Sequence, residues 1–388
     1  MTNITPQILS KVGQNLHLQN SHPLGQLCRR IVNFVYEYYL KPRGNPLFSI
    51  HDRINPVVTK EQNFDSLLVP KDHVTRQQKD NYYINEKYLL RAHTTSHQTE
   101  LIKMGFNNFL VVGDVFRRDE IDSSHYPVFH QADGVRLFSK QDVFGAEDNS
   151  HLSLFDKKPE TEESQGCHSQ VVVNILTKDL KVFLISLANS LFGKDLEWRW
   201  VDAYFPFTHP SWELEVKFGE KWVEMLGCGI IRQDILNNSG AGDKVGWAFG
   251  LGLERWAMKM FQIPDIRIFW STDSRFLEQF NYEDPNTPVT FKHFSNHPPC
   301  MNDISFWLPA SNDFSSEDFY ELVRNIGEDT IERVELIDNF THPKKRLTSH
   351  CYRVTYRSWE RAMTQEEANR IHSNIAEEVT HKLGVTLR

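Results

Sequence analysis

Two arginines stand in strings that could grip anions. Arg117 lies in VFRRDEIDSSHYPVFHQADG (Val115 to Gly134), and Arg255 closes GWAFGLGLER (Gly246 to Arg255). In each string a strand-like apolar run passes into a polar turn or a helix start. A guanidinium is a planar fork that can hold a carboxylate and a phosphate oxygen together. Gly250 and Gly252 let backbone come close at a strand-to-helix junction, although a lone GxG is weak evidence. The competing reading of Arg117 is a solvated strand end in the charge run Arg117-Arg118-Asp119-Glu120. The HQADG that follows weighs against it.

Three further segments carry candidate chemistry. RAHTTSHQ (Arg91 to Gln98) is rich in hydroxyl and imidazole groups, a composition also common in capped turns. YFPFTHPSWELEV (Tyr204 to Val216) holds Phe205 and Phe207, whose alternation would also suit two core residues on one strand face. Glu224 sits on a predicted strand, where an exposed glutamate is equally ordinary. Leu253, Trp256, Ala257 and Met260 form the packed face of a helix.

The elements that must position these residues can be read from periodicity. Leu24, Leu27, Ile31 and Phe34 predict an amphipathic helix over about 23–40, stopped by Pro42, Gly44 and Pro46. FLVVGDVF (Phe109 to Phe116) predicts a buried strand, and a second follows from about Asp133 to Phe138. WELEVKF and KWVEMLG alternate around Gly219-Glu220, a hairpin with the glycine first, as a type II′ turn requires. Short turns and alternation imply an antiparallel sheet. Residues 145–170 are polar and of mixed charge, and read as a mobile surface insertion. Val171 to Phe192 is a helix candidate.

Turn residues cluster between Tyr282 and Pro299, and the pattern then changes. Strands are expected at Asn302 to Leu308, Ile331 to Phe340 and Ser349 to Arg357. Helices are expected at Ser315 to Ile326 and Thr364 to Leu383, with Ser315 as N-cap and Gly384 past the last turn. With a short last strand the order is β-α-β-β-α-β, the ferredoxin-like unit. The expected division is an N-terminal helical segment (1–45), a catalytic domain (46–285), a linker (286–298) and the ferredoxin-like unit (299–388). The last is expected to act on a partner alone, leaving the catalytic domain complete without it.

Composition sets outer bounds. The 388 residues suit two or three domains, and 40% apolar content supports a sizeable core. A formal charge of −8 argues against a general nucleic-acid coat but leaves room for a local basic stripe. The five cysteines, Cys28, Cys167, Cys228, Cys300 and Cys351, are scattered without C-x-x-C, so no disulfide framework or structural zinc is expected. No run reaches the ~18 apolar residues of a membrane span, so no membrane partner is expected. The opening MTNITPQILSKVGQN is not Arg-rich enough for a transit peptide, and an organellar chain would then be a processed or trimmed form.

Taken together, the two arginine strings resemble motifs 2 and 3 of the class II aminoacyl-tRNA synthetases. RAHTTSHQ and YFPFTHPSWELEV narrow the resemblance to phenylalanyl-tRNA synthetase of the single-chain organellar type, over nearly the whole chain. The fold implied is α+β: an antiparallel catalytic sheet flanked by helices, then a ferredoxin-like anticodon-binding domain. The activity implied is a ligase that joins phenylalanine to tRNA(Phe) through phenylalanyl-adenylate. Carboxylate attack on the α-phosphorus of ATP brings two anions together, so fixed positive charge matters more than a general base. ATP with Mg²⁺ is the implied substrate complex, with no tightly bound cofactor.

The resemblance carries over roles residue by residue. Arg117 would bridge the substrate carboxylate and the α-phosphate, and Arg255 and Phe129 would sandwich adenine. His93, Thr95, Ser96, His97 and Gln98 would line the carboxylate, phosphate and ring pocket. Gln131, Ala132 and Asp133 would hold the amino group. Phe205 and Phe207 would meet the substrate ring, with Ala248 as pocket floor and Phe249 beside it. Asp119, Ser124, His125 and Tyr126 would contact ATP, and Glu224 would stand near magnesium. The family usually has Ser where this chain has Thr95 and Glu where it has Asp133; Asp119 replaces the Glu of the general class II signature, and the phenylalanine family often has Asp there. Pro56, in INPVV, looks like the motif 1 proline. Lys344, Lys345 and Arg346 are candidate tRNA contacts. A monomer in the mitochondrial matrix, without an editing domain, completes the implied picture. Two other readings compete: another ATP-dependent carboxylate-activating enzyme on this fold, and a non-catalytic RNA-binding relative.

Overall fold

The computed structural model describes residues 2–41, 44–145, 152–293, 297–309, 314–344 and 347–388. The first unit contains strands β1 (Ser49–His51), β2 (Val57–Thr59), β3 (Tyr88–Leu90), β4 (Asn108–Phe116), β5 (Val128–Phe138), β6 (Trp198–Phe205), β7 (Thr208–Phe218), β8 (Lys221–Ile231) and β9 (Val245–Gly252). Seven of these form one sheet in the order β1-β4-β5-β9-β8-β7-β6. Only β1 with β4 is parallel; the other neighbours are antiparallel. At three residues β1 is too short to show an alternation, so it left no trace in the sequence pattern. β5 begins at Val128 rather than near Asp133. Its polar start, with His130 and Gln131, hides it from a reading based on apolar runs.

Alternation assigns the two sheet faces. Leu110, Val112, Ala132, Trp247 and Phe249 point to the large core, where they meet Leu24, Leu27 and Ile31 of the helix Pro23–Tyr38 and Phe183 of the helix Gln170–Phe192. Phe109, Val111, Val135 and Ala248 point the other way, into a smaller cluster on the face that carries the site. Both faces of β4 are therefore covered, which is why FLVVGDVF reads as an unbroken apolar run. The helix Pro23–Tyr38 begins with Pro at its first position and His22 Nδ1 accepting from Leu24 N at 3.2 Å. It belongs to the main core and not to a separate N-terminal segment. The β7–β8 hairpin turns at Gly219 with φ +63°, as its turn type demands.

The expected mobile insertion needs correction over residues 152–169. Gln165 is buried. Its Nε2 donates to His209 O at 2.8 Å and Ile231 O at 3.0 Å, and its Oε1 accepts from Gln233 N at 2.8 Å. His168 lies 2.9 Å from Gln233 Oε1, and Leu154 reaches the large core. The polarity that suggested mobility is spent on satisfying the backbone at the end of the sheet.

The second unit has β10 (Cys300–Trp307), β11 (Ile331–Thr341), β12 (Thr348–Tyr356) and β13 (Thr386–Leu387) in the antiparallel order β11-β12-β10-β13. Helices Ser316–Gly327 and Gln365–Leu383 cover one face. Their ends match the sequence signals. Ser315 and Thr364 accept from the amides of Asp318 and Glu367, and Gly384 takes φ +61°. This is the β-α-β-β-α-β order read from the sequence.

The two units share more than a linker. Ile121, on the loop between β4 and β5, is buried in the core of the second unit, and its carbonyl accepts from Val334 N at 3.0 Å. Arg324 NH2 donates to Asp119 O at 2.6 Å, and its NH1 pairs with Glu321 at 2.7 Å. Glu321 also accepts from Tyr82 OH at 2.8 Å. Arg118 pairs with Asp318 at 2.8 Å. The β4–β5 loop of the first unit thus borrows the second unit's core. Arg324→Ala should destabilise the chain by about 3–5 kcal/mol, because Glu321 keeps its burial but loses its main counter-charge. Urea unfolding followed by circular dichroism tests this; an unchanged midpoint would show that the pair is dispensable.

Candidate active site

A buried ion pair sets the floor plan. Arg91, 1% exposed, donates from Nε to Asp114 O at 2.6 Å and from NH2 to Asp114 Oδ1 at 2.7 Å. Its NH1 reaches Ile54 O at 3.1 Å and His97 Nε2 at 3.0 Å. Gly113 provides the lane, since a Cβ there would stand 2.1 Å from Arg91 NH2. The arginine thus clamps the start of RAHTTSHQ onto β4. Asn63 Oδ1 holds the next amide, that of Ala92, at 3.0 Å. The short helix that follows then turns His93, Thr95 and Gln98 toward β5.

These three residues line a cavity of about 490 Å³. Gln131 and Asp133 of β5 and Ala248 of β9 join them, with Arg117, Glu224, Phe205 and Phe207. Residues 131 and 133 are two apart on one strand, so their side chains share a face. Four polar atoms here are buried without a hydrogen-bond partner: His93 Nδ1, Gln98 Nε2, Gln131 Oε1 and Asp133 Oδ1. Leaving buried polar atoms unpaired costs free energy, so such a set invites a ligand. Two acceptors on β5 suit an ammonium, and an amide donor opposite suits a carboxylate. Thr95 Oγ1 donates to Asp133 Oδ2, so two residues that depart from the family's usual pattern meet each other. A Cβ at Gly250 would stand 2.7 Å from Asp133 Oδ1.

Burial shapes the electrostatics. Desolvation raises the Asp133 carboxyl to about 6, against the pull of the Thr95 and Thr94 hydroxyls, Arg117 and Arg91. Desolvation and the Arg117 charge hold His93 down at about 3, so it enters any reaction neutral. The Arg117 guanidinium donates from Nε to Ala92 O at 2.7 Å and lies 5.2 Å from the Phe129 ring centre. Desolvation lowers its pKa, and Asp119, Asp133 and Glu224 offset that shift.

Phe205 and Phe207 are not two alternating residues on one strand. Phe205 ends β6 and Phe207 lies in the turn before β7, and their rings stack at 5.8 Å and 12°. Gly227 accommodates Phe205, since a Cβ there would stand 2.8 Å from the ring. Ala248 pairs with Val135 on one side and Gly229 on the other, a small residue among neighbours that leave it facing the cavity.

Several expected residues stand elsewhere. Ala132 faces the large core, because its neighbours Gln131 and Asp133 take the cavity face. Phe249 borders the cavity, but its ring packs at 5.8 Å from Phe183 and 6.2 Å from Trp247. Ser96 is buried, bonded to His93 O at 2.7 Å, and His97 serves Arg91; both support the segment and do not line the cavity. Phe129 takes Arg117 and not Arg255 as its cationic neighbour. Arg255 lies outside the cavity wall, half-exposed, with NH1 2.8 Å from Glu224 O and 3.4 Å from Glu224 Oε2. The adenine clamp is thus not preformed.

The β4–β5 loop is turned toward the second unit. Asp122 Oδ1 accepts from the amides of Ser124 at 2.6 Å and His125 at 2.8 Å, and Asp122 Oδ2 lies 2.8 Å from His125 Nδ1. Tyr126 is buried, and its hydroxyl donates to Asp329 Oδ1 at 2.5 Å. Asp119 offers its carbonyl to Arg324. Asp119, Ser124, His125 and Tyr126 are therefore not cavity residues here. Among the described residues one group of three ligand-type side chains, Glu120, Asp122 and His125, lies within 4.8 Å on this loop, with Asp122 already engaged. Lys344 is exposed on the β11–β12 turn, while Lys345 and Arg346 lie outside the described residues.

Sequence reasoning missed Arg91 and Asp114, and the buried pair His130–Glu254. His130 Nδ1 is 2.7 Å from Glu254 Oε1, and Glu254 Oε2 accepts from His130 N at 2.8 Å. The pair ties β5 to the helix that bears Arg255. It also missed Glu213, whose carboxyl is raised by desolvation and then by Glu224 and Glu215. A lone charged residue inside an apolar run, such as Asp114 in FLVVGDVF, was the available signal.

The raised Asp133 carboxyl predicts a pH dependence. Its ionised form, which an ammonium needs, is lost as pH falls through about 6. The kcat/KM for an amino-acid substrate reports the free protein, so it should fall on the acid side of about 6. Thr95→Val should move this limb to higher pH, because it removes a bond that favours the carboxylate. A limb unmoved by Thr95→Val and still present in Asp133→Asn would belong to another group.

A family model described as tRNA synthetases class II core domain (F) matches residues 13–144 and 135–280, and one described as Ferredoxin-fold anticodon binding domain matches 295–388. The chain is 52% identical to the mitochondrial phenylalanine–tRNA ligase of Mus musculus over 385 residues, covering 99% of this chain and 85% of that one. Against the probable mitochondrial phenylalanine–tRNA ligase of Drosophila melanogaster it is 51% identical, covering 100% and 89%. Against the mitochondrial enzyme of that name from Saccharomyces cerevisiae it is 37% identical, covering 100% and 92%. The identity extends through both units, and the chain belongs to the mitochondrial-type phenylalanyl-tRNA synthetases of class II.

Proposed function

We propose that the chain is a phenylalanine–tRNA ligase that works as a monomer in the mitochondrial matrix, on phenylalanine, ATP with Mg²⁺ and tRNA(Phe). The observation that carries the site assignment is the set of unpaired atoms in one cavity. Gln131 Oε1 and Asp133 Oδ1 accept from the ammonium, and Gln98 Nε2 donates toward the carboxylate. Phe205, Phe207 and Ala248 enclose the ring. The monomer and matrix readings rest on the relatives' names and the fused second unit.

Arg117 lines the cavity together with Asp133 and Glu224 and feels the charge of both, so its fork can hold the carboxylate and the α-phosphate together. The carboxylate oxygen then attacks the α-phosphorus and pyrophosphate leaves. A tRNA ribose hydroxyl, the 2′ group, next attacks the carbonyl and AMP leaves. His93 is neutral at working pH and can donate a hydrogen bond without adding charge. Mg²⁺ needs only one or two carboxylates beside the phosphates, and Glu224 with Glu213 offers them. When bound it neutralises phosphate charge. Arg255 would have to leave Glu224 to reach the nucleotide, so the adenine clamp with Phe129 closes on binding.

Arg117→Ala should cut phenylalanine-dependent pyrophosphate exchange by about 10² or more, as loss of one charge-stabilising donor does. A folded variant with near-normal exchange would refute the assignment. The apolar ring pocket can reject tyrosine only by size and by leaving its hydroxyl unpaired, worth about 10²-fold. Ala248→Gly should lower the discrimination against para-substituted phenylalanines in the same assay; unaltered tolerance would mean that Ala248 is not the floor.

A further inference from the structure

The catalytic sheet ends unevenly where β9 passes into the helix Leu253–Phe261. β5 pairs with β9 only from Gln131 onward, Gln131 standing opposite Gly252, while its pairing with β4 runs on through His130 and Phe129 to Val128. His130 and Phe129 therefore have a strand neighbour on one side only. The helix that follows β9 starts at an N-cap, Gly252, with no side chain to fix its first turn. Two buried side chains of the helix tie it to the sheet instead. Glu254 Oε2 accepts from His130 N at 2.8 Å, and Glu254 Oε1 lies 2.7 Å from His130 Nδ1. Trp256 Nε1 donates to Met225 O of β8 at 2.6 Å. Arg255 stands between these two anchors.

The chain neighbours of the pair are the two sides of the adenine clamp: Phe129 precedes His130, and Arg255 follows Glu254. One carboxylate with two bonds to one residue fixes orientation as well as distance. The His130 ring is boxed in by His17 at 5.3 Å and Trp270 at 6.1 Å, and its Nε2 is buried without a hydrogen-bond partner among the described residues. The ring's polar contact is thus with Glu254. Neither member of the pair lines the cavity. A carboxylate only 2% exposed is costly to bury, and the geometry gives this one a positional use. The amino-acid side is held differently. Gln131 is paired with Gly113 on one side and Gly252 on the other, so the ladder keeps the ammonium acceptor in place without Glu254.

We propose that Glu254 and His130 are positioning residues for the nucleotide: their double contact fixes the gap between the backbones that carry Phe129 and Arg255, and phenylalanine binding does not depend on it. The proposal rests on the ligase reading. The test uses the full chain, with calorimetry giving the dissociation constants of phenylalanine and of ATP with Mg²⁺ separately, and pyrophosphate exchange as the activity. Glu254→Ala should cut the exchange kcat/KM for ATP by about 10²-fold, the loss that a misplacement of about 1 Å brings. It should weaken ATP binding and leave the phenylalanine constant as in the parent. Glu254→Asp keeps the charge but is one methylene shorter and cannot reach both donors, so it should show the same split in smaller measure. Glu254→Gln keeps the length without the charge. Its oxygen accepts from the amide and its NH2 meets the ring nitrogen in the other tautomer, so most of the ATP affinity should return. If Glu254→Ala does not fold, Glu254→Asp and Glu254→Gln decide. Equal weakening of phenylalanine and ATP would mean a general structural role, and unchanged ATP constants in Glu254→Asp would mean none. A loss in Glu254→Gln that Glu254→Asp lacks would mean that charge and not spacing acts on the nucleotide. Each of these outcomes overturns the proposal. Absence of phenylalanine-dependent exchange in the parent chain would instead sink the ligase reading.

Discussion

The pair Arg91–Asp114 is the constraint on which the cavity depends. It sits in the interior, where desolvation makes an ion pair worth having only if its geometry is good and its remaining donors are used. Arg91 meets that condition: its donors reach two oxygens of Asp114, the carbonyl of Ile54 and the ring of His97. The consequence is positional. RAHTTSHQ contains little apolar surface to hold it down, so a directional clamp fixes it where hydrophobic packing cannot. With the segment fixed, Thr95 reaches Asp133, and His93 and Gln98 face the same space as Gln131.

A second buried pair does for the other half what Arg91 does for the first. Glu254 follows the first residue of its helix and holds both the ring and the backbone amide of His130. Arg255 is its chain neighbour, so the position of that arginine relative to β5 is set by a contact on the opposite side of the sheet. The glycines fit the same logic. Gly113 gives room to Arg91, Gly227 to Phe205, and Gly250 to Asp133, each at a place where a Cβ would stand closer than any real contact.

The β4–β5 loop joins the cavity to the second unit. Arg117 begins it, on the cavity wall, while Ile121 and Tyr126 are buried or bonded against the second unit. Whatever moves the second unit must therefore also release the loop that starts at Arg117. The interface combines the buried Ile121 and Tyr126 with charge-assisted bonds through Arg118, Arg324 and Arg267, which reaches Asp329 O at 3.0 Å. Breaking it would leave these buried charges without partners.

Much of this molecule was legible before any coordinate. The strings around Arg117 and Arg255, the hairpin at Gly219 and the βαββαβ order are local signals, carried by side-chain period and turn chemistry, and they appear where periodicity put them. The polar strand start at His130 and Gln131 escaped because period-two reading sees only apolar alternation. Which face each strand residue takes was open to the sequence only as parity: Ala132 cannot share a face with Gln131 and Asp133, yet which face holds the cavity depends on where the helices pack. What the tertiary structure alone decided are the contacts between distant segments: Arg91 with Asp114, His130 with Glu254, Thr95 with Asp133, and Tyr126 with the second unit and not with a nucleotide. Each joins residues whose separation along the chain carries no periodic signal. A charged side chain in an apolar run announces that it needs a partner, and only the folded chain brings that partner within reach.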